Sequence, residues 1–309
     1  MRWKTAISEC FQAASGVRLG SVISPAIFNV FINDLITNLR ASRVGCSVNG
    51  QFVGAIMYAD DLIVLSASVC GLQNMLHTCY KVCKNLLLEF NHKKSICCAI
   101  GPASRYTISD MSLGHGLLQW SSSFKYLGID FTAGKALMVN LTLVKRKFYA
   151  ASNCILGHSN TLHDVLKLHL VESYCLPILL YATAALRLSR EQLLELNVCW
   201  NSVYRRIFGF HRFESVRVFI HGLGRLDFFH LRAYLCLKYY KKGLSSGNRV
   251  LNSVTNLTFR SQYFDDLCKM SNINALVSDY RKFVTLHVSE VRAQIHIGFG
   301  TTCAEVSVI

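Results

Sequence analysis

Apolar positions follow two different rhythms over the first 130 or so residues of the chain. After Ser24-Pro25, which reads as an N-cap followed by proline at the first helical position, Ile27, Phe31, Leu35 and Leu39 recur at helical spacing. Arg40 and Arg43 then sit near the negative end of that helix dipole. Two short apolar runs, residues 53–58 and 62–65, flank Ala59-Asp60-Asp61 and predict a β-hairpin with an acidic tip. Leu72, Met75, Leu76, Cys79, Cys83, Leu86, Leu87 and Phe90 make one continuous stripe, which predicts an amphipathic helix over residues 71–90. A polar turn at 91–95 leads to a short strand at 96–100, and a further apolar segment covers 124–131. From about residue 135 the pattern turns helical. Ser189 and Gln192 have the spacing of a capping box, Gly209 reads as the stop, and Leu193, Leu196, Trp200, Val203 and Ile207 supply a buried face. Beyond residue 242 every signal weakens, and residues 243–247 read as a linker. The expected fold class is α+β: an antiparallel sheet with packed helices, then an all-α region, with the boundary near residue 132.

Composition narrows the class. With 309 residues, 51% hydrophobic and 17% charged, the chain is globular and long enough for two cores. The longest charge-free window, residues 62–80, is broken by polar side chains, and the first ten residues lack the apolar core of a signal peptide. The expectation is an intracellular protein, nuclear or cytoplasmic, with no membrane partner. Thirteen scattered cysteines, an odd number, read as small buried hydrophobes and not as a disulfide framework. The net charge of +15 is uneven: residues 1–140 carry 12 basic and 7 acidic groups, residues 141–309 carry 21 and 11. That balance suits a polyanionic partner and equally a solvated basic surface.

The chemistry-bearing feature is Asp60-Asp61. Two carboxylates on a rigid turn suit a hard cation such as Mg²⁺, and paired ions of that kind drive nucleotidyl transfer. Aspartate is also a common turn residue, so the dipeptide alone leaves both roles open. Order along the chain adds weight. Gly16-Val17-Arg18-Leu19-Gly20-Ser21-Val22-Ile23-Ser24-Pro25 precedes the hairpin, and Tyr58-Ala59-Asp60-Asp61 forms its tip. Asn91-His92-Lys93-Lys94-Ser95 follows, and Phe124-Lys125-Tyr126-Leu127-Gly128-Ile129 comes last. In that order and at those separations, the four segments resemble consecutive motifs of the reverse-transcriptase palm in the style of non-LTR (LINE-type) retrotransposons. The resemblance is strong over residues 16–131. A weaker likeness to the helical thumb and connection continues to about residue 242, including residues 174–181.

The resemblance implies a division into a partial palm (1–131), a thumb- or connection-like helical region (132–242) and an unassigned helical tail (243–309). It implies that Asp60, with Asp61 beside it, ligates catalytic Mg²⁺ ions in a two-metal site. Gly16, Arg18, Gly20 and Tyr58 would line the incoming nucleotide and template, and Lys94 would approach the triphosphate and protonate the leaving pyrophosphate. Phe124, Tyr126, Leu127 and Gly128 would grip the primer's 3′ end. The partners implied are an RNA template, a DNA primer and deoxynucleotides. The acidic tip is expected to face a cleft shared with the glycine loop and Lys94. Two departures stand out. Leu19 occupies a position where these enzymes usually carry glutamine. The family's first catalytic aspartate lies several dozen residues before the glycine motif, whereas only fifteen residues precede Gly16, and neither Glu9 nor Asp34 has the right context to replace it. The 309-residue chain alone is therefore expected not to polymerise.

Two other functions remain in view. Cys79, Cys83, His92 and Cys97 have the spacing of a zinc knuckle, although the first two fall on the predicted buried stripe. A non-catalytic RNA- or DNA-binding remnant is the alternative to an enzyme. It rests on nine basic residues between Arg205 and Lys242, interleaved with Tyr204, Phe208, Phe210, Phe213, Tyr239 and Tyr240.

Overall fold

The computed structural model describes residues 2, 3, 5–7, 9, 16, 20–259, 261–270 and 290. It is a mixed α+β structure in two compact units: Met1–Ile96 with Ile108–Gln119, and Cys97–Thr107 with Trp120–Ile309. The motif order that defines the sequence boundary ends at residue 131, so residues 120–131 belong structurally with the second unit.

The first unit opens with a short antiparallel pair, β1 (Arg2–Trp3) and β2 (Ala6–Ile7). Helix α1 (Ser24–Ala41) follows. Ile23, not Ser24, occupies its N-cap position and makes no side-chain cap. The buried stripe is Ile32, Leu35 and Leu39, so the expected inward positions Ile27 and Phe31 are instead exposed. Strands β3 (Ser47–Val48) and β4 (Gln51–Phe52) turn across Asn49 and Gly50, both at positive φ, as a two-residue hairpin requires. Strands β5 (Ala55–Tyr58) and β6 (Asp61–Val64) form the expected acidic hairpin. Its loop has two residues, because Asp61 already belongs to β6.

Helix α2 (Val69–Asn85) is capped by the Ser68 hydroxyl, which accepts from the Gly71 amide at 3.1 Å. It ends before the predicted residue 90, where Leu87 adopts φ +56°. Gly71, Met75, Leu76, Cys79 and Cys83 form its buried face. Strand β7 is only Ile96–Cys97, shorter than expected, and β8 (Met111–Leu113) pairs with β9 (Gly116–Trp120). The Gln73 side chain fastens α2 to β8 as a strand would: its amide donates to the Ser112 carbonyl and its oxygen accepts the Ser112 amide, each at 2.9 Å.

In the second unit a 3₁₀ turn (Pro102–Arg105) precedes a three-stranded meander. Its strands are β10 (Ser123–Tyr126), β11 (Ile129–Thr132) and β12 (Met138–Asn140). The apolar segment 124–131 is thus two strands and not one; the chain reverses at Leu127-Gly128, whose φ angles are +47° and +82°. Helices α3 (Thr142–His158), α4 (Asp164–Tyr174), α5 (Leu176–Leu180) and α6 (Arg190–Phe208) follow. They are succeeded by α7 (Arg217–Gly222), α8 (Phe228–Leu244), α9 (Arg249–Phe259) and α10 (Gln262–Met270). The capping box at Ser189 and Gln192 is formed, and Gly209 ends α6 in the left-handed conformation. Leu193, Leu196, Trp200, Val203 and Ile207 all face the core. The segment read as a linker is mostly helical at its start, since α8 continues to Leu244.

Gly243 carries a packing role that its linker-like context hides. A Cβ there would run into the Thr255 side chain of α9, with Thr255 Cγ2 at 2.9 Å and Thr255 itself only 2% exposed. Gly243→Ala gains about 1 kcal/mol of helix propensity but should lose about 1–3 kcal/mol to overpacking. A lowered melting temperature is expected. A raised one would show that α9 yields freely.

Candidate active site

The β5–β6 hairpin places its acids by register. Tyr58 stands directly opposite Asp61, Met57 opposite Leu62, Ile56 opposite Ile63 and Ala55 opposite Val64. Facing residues project to the same side, and alternation puts Ile56, Tyr58, Ile63 and Asp61 on one face. Tyr58 is 64% exposed and Ile56 46%, so that face is open, while Met57 and Leu62 are half-buried. Helix α1 packs against β5 within the same unit. Asp60 sits at the tip beside Ala59, which is held at φ +50°. Both aspartates are exposed. Among the described residues, neither their side chains nor that of Lys94 enters a hydrogen bond or ion pair. Two adjacent carboxylates with every lone pair available suit a hard cation, which draws on oxygen ligands. Among the described residues, no group of three His, Cys, Asp or Glu comes together as a metal site.

The other motif residues divide between the units. Gly16 and Gly20 have φ +98° and +79°, which only glycine adopts readily, and open space surrounds the position of a side chain at each. Arg18, like Leu19, lies outside the described residues. Lys94 belongs to a turn organised by Asn91, whose side-chain oxygen accepts the amides of Lys93 and Lys94 at 3.1 and 3.2 Å. The turn fixes the backbone and leaves the lysine side chain exposed.

Phe124, Tyr126, Leu127 and Gly128 are in the second unit, on the β10–β11 hairpin. Phe124 faces Phe131 across the strands, with ring centroids 5.2 Å apart. The Tyr181 hydroxyl donates to the Leu127 carbonyl at 2.9 Å and pins the turn. In the sequence Tyr181 falls within residues 174–181, where the likeness to the family is weak. Nothing local marks a contact to a residue so distant in the chain.

Cys79 and Cys83 are 1% and 3% exposed on the inner face of α2. Burial, with the neighbouring Cys83 sulfur, pushes the Cys79 thiol up to about 12. Such thiols stay protonated, the form that does not ligate metal.

The basic, aromatic stretch from Arg205 to Lys242 resolves into two populations. Tyr204, Phe208, Phe210 and Tyr240 pack into or against the helical core. Arg225 pairs with Glu172 at 3.0 Å and Arg217 with Asp227 at 3.6 Å. Arg206, Arg212, Lys238 and Lys242 face outward, and Phe213 is 91% exposed with the Arg212 guanidinium 5.6 Å from its ring centroid. Much of the stretch is therefore amphipathic helix. Among the described residues, no helix is long and apolar enough to cross a membrane.

Residues 2–131 match the family model described as "Reverse transcriptase (RNA-dependent DNA polymerase)". The chain is 31% identical over 136 residues to the Retrovirus-related Pol polyprotein from type-2 retrotransposable element R2DM of Drosophila melanogaster. That match takes in 41% of this chain and 13% of the polyprotein. It is 26% identical over 207 residues to the RNA-directed DNA polymerase from mobile element jockey of the same fly, covering 63% and 22% of the two chains. A third relative, the Pol polyprotein from type-1 retrotransposable element R2 of Popillia japonica, is 25% identical over 183 residues, covering 54% and 28%. The chain thus spans less than a third of the length of these relatives. Residues 2–131 are thus similar to reverse transcriptases, and the relatives that the chain resembles are polyproteins and polymerases of retrotransposable and mobile elements.

Proposed function

We propose that residues 1–131 form part of a polymerase palm, that residues 132–242 serve as a thumb- or connection-like region, and that residues 243–309 are a helical tail. The function is a part in RNA-templated DNA synthesis. In that reaction a primer 3′-hydroxyl attacks the α-phosphate of a deoxynucleotide and pyrophosphate leaves. The observation that carries this reading is the pair of exposed, unpaired carboxylates, Asp60 and Asp61, at the hairpin tip inside the family-matched segment.

Asp60 and Asp61 would hold Mg²⁺, which when bound neutralises phosphate charge and makes the attacking hydroxyl more acidic. Lys94, exposed on its Asn91-braced turn, would meet the triphosphate and carry a proton to the leaving oxygen. Gly16, Gly20 and Tyr58 would border the nucleotide and template, with Arg18 between the glycines in sequence. The Leu127-Gly128 turn, held by Tyr181, would present its backbone to the primer end. RNA template, DNA primer and deoxynucleotides are the partners this chemistry needs.

Two carboxylates are few for a two-ion site, and ions held by too few ligands are poorly positioned. The 309-residue polypeptide should therefore bind an RNA–DNA hybrid, with affinity falling steeply as salt rises, yet leave a primer unextended in Mg²⁺ and deoxynucleotides. Robust Mg²⁺-dependent synthesis would overturn the inactivity. Binding to the hybrid that is absent or indifferent to salt would overturn the nucleic-acid role. The second reading, a non-catalytic binding remnant, is favoured by the outward Arg212–Phe213 pair, and it shares the first outcome but predicts no cation at the hairpin tip.

A further inference from the structure

The helical unit contains two arginines without acidic partners, set around one tyrosine. Arg232, on α8, is only 2% exposed. One of its Nη atoms donates to the Leu186 carbonyl at 3.2 Å and to the Tyr263 hydroxyl, while its Nε has no hydrogen-bond acceptor. Arg187, which is exposed, also lies against Tyr263: each guanidinium is 5.7 Å from that ring's centroid. Neither forms an ion pair among the described residues. A buried charge lacking a counter-ion is costly, and a second like charge on the same ring raises that cost. One ring's quadrupole does not supply a full negative charge.

Next to this pair lies a cleft of about 310 Å³, lined by Arg187, Tyr239, Tyr240, Thr258 and Tyr263 among others, none of them acidic. The Tyr240 side chain is 5% exposed, yet its hydroxyl has no hydrogen-bond partner among the described residues. The Thr258 hydroxyl is already committed, donating to the Val254 carbonyl at 3.0 Å. The donors left for a ligand are the Arg187 guanidinium and the Tyr239 and Tyr240 hydroxyls. All are donors to an anion, the two tyrosines belong to α8 and Arg187 to the segment before α6, and the volume is at the small end of ligand sites.

We propose that this cleft binds a phosphate group, with Arg187 and the hydroxyls of Tyr239 and Tyr240 as donors and the buried Arg232 supplying the positive field behind Tyr263. A tetrahedral anion with several acceptor oxygens matches several donors from separate elements, and arginine is the residue best shaped for phosphate. The phosphate has two sources of the same chemistry, a free phosphate or mononucleotide and a phosphodiester of a nucleic-acid strand. The proposal stands apart from the β5–β6 hairpin and does not need that hairpin to bind metal.

Calorimetric titration of the full chain with inorganic phosphate, adenosine monophosphate, adenosine and a short single-stranded oligonucleotide tests it. Saturable binding is expected for at least one phosphate-bearing probe and not for adenosine. Arg187→Ala and Tyr240→Phe should each weaken that binding by about tenfold, while Arg105→Ala, an exposed arginine on the 3₁₀ turn, should not. Tyr240→Phe keeps the packed ring, so circular dichroism and the melting temperature should stay close to those of the parent. Binding confined to the oligonucleotide but sensitive to both variants identifies a strand as the source. Equal binding of inorganic phosphate identifies the free anion. No saturable binding of any phosphate-bearing probe, or binding that both variants leave unchanged, would overturn the site.

Discussion

Replacing Trp200 by alanine should destabilise the helical unit by about 3–5 kcal/mol, the usual cost of emptying a large aromatic site. The indole is fully buried, set edge-on to Tyr204 at 5.4 Å and 6.4 Å from Phe148, within a core that draws on most of the helices of the unit. Set against a total stability of roughly 5–15 kcal/mol, the loss is large enough to leave a substantial unfolded fraction at 37 °C. Its ring nitrogen has no hydrogen-bond partner among the described residues, so Trp200→Phe gives up packing only and should cost clearly less than the alanine change. Urea unfolding followed by far-ultraviolet circular dichroism measures both. An alanine variant within about 1 kcal/mol of the parent would mean the core closes over the gap.

The protein should also become alkali-labile, and the sign follows from burial. The Cys79 thiol titrates at 9.0 in an exposed setting and at about 12 in the fold, because burial penalises the thiolate and Cys83 lies beside it. Between those values the folded chain holds more protons than the unfolded one, so stability falls as pH rises; below 9.0 it is fully present. One such group contributes a slope of about 1.4 kcal/mol per pH unit, on the order of 4 kcal/mol across the window. Burial also raises Cys97, to about 11, and pushes the Tyr204 and Tyr240 phenols upward, all in the same direction. Urea midpoints should be steady from neutral pH to about 9 and then decline, less steeply in a Cys79→Ala variant. A flat profile through that range would contradict the burial of these groups.

What could be read from the sequence was what local chemistry controls. Helix α6 announces itself because Ser189, Gln192 and Gly209 act within a few residues of where they stand. The acidic hairpin was visible because its apolar runs and its tip are contiguous. The β10–β11 turn was not: it reverses at Leu127-Gly128, and a leucine at the first left-handed position, inside an otherwise apolar run, hides the signal that the glycine carries. The Asn49-Gly50 hairpin did carry one, but its two-residue strands are too short to alternate. Ile27 and Phe31 fit a buried stripe by spacing and are exposed, because periodicity shows which face is apolar and not whether anything covers it. Of the candidate site, Asp60, Asp61 and Lys94 could be named from motif order alone. The brace of Tyr181 on Leu127 and the meeting of Arg187, Arg232 and Tyr263 could not, since they depend on contacts between residues remote in sequence.

The role assigned to the Asp60-Asp61 tip is tested most directly by paramagnetic broadening of amide signals during a Mn²⁺ titration. Signals of Ala59, Asp60, Asp61 and their neighbours on β5 and β6 should broaden first, Mg²⁺ should reverse the effect, and an Asp60→Asn, Asp61→Asn double variant should lose it. Broadening centred elsewhere, or unchanged in the double variant, would contradict a cation-holding tip.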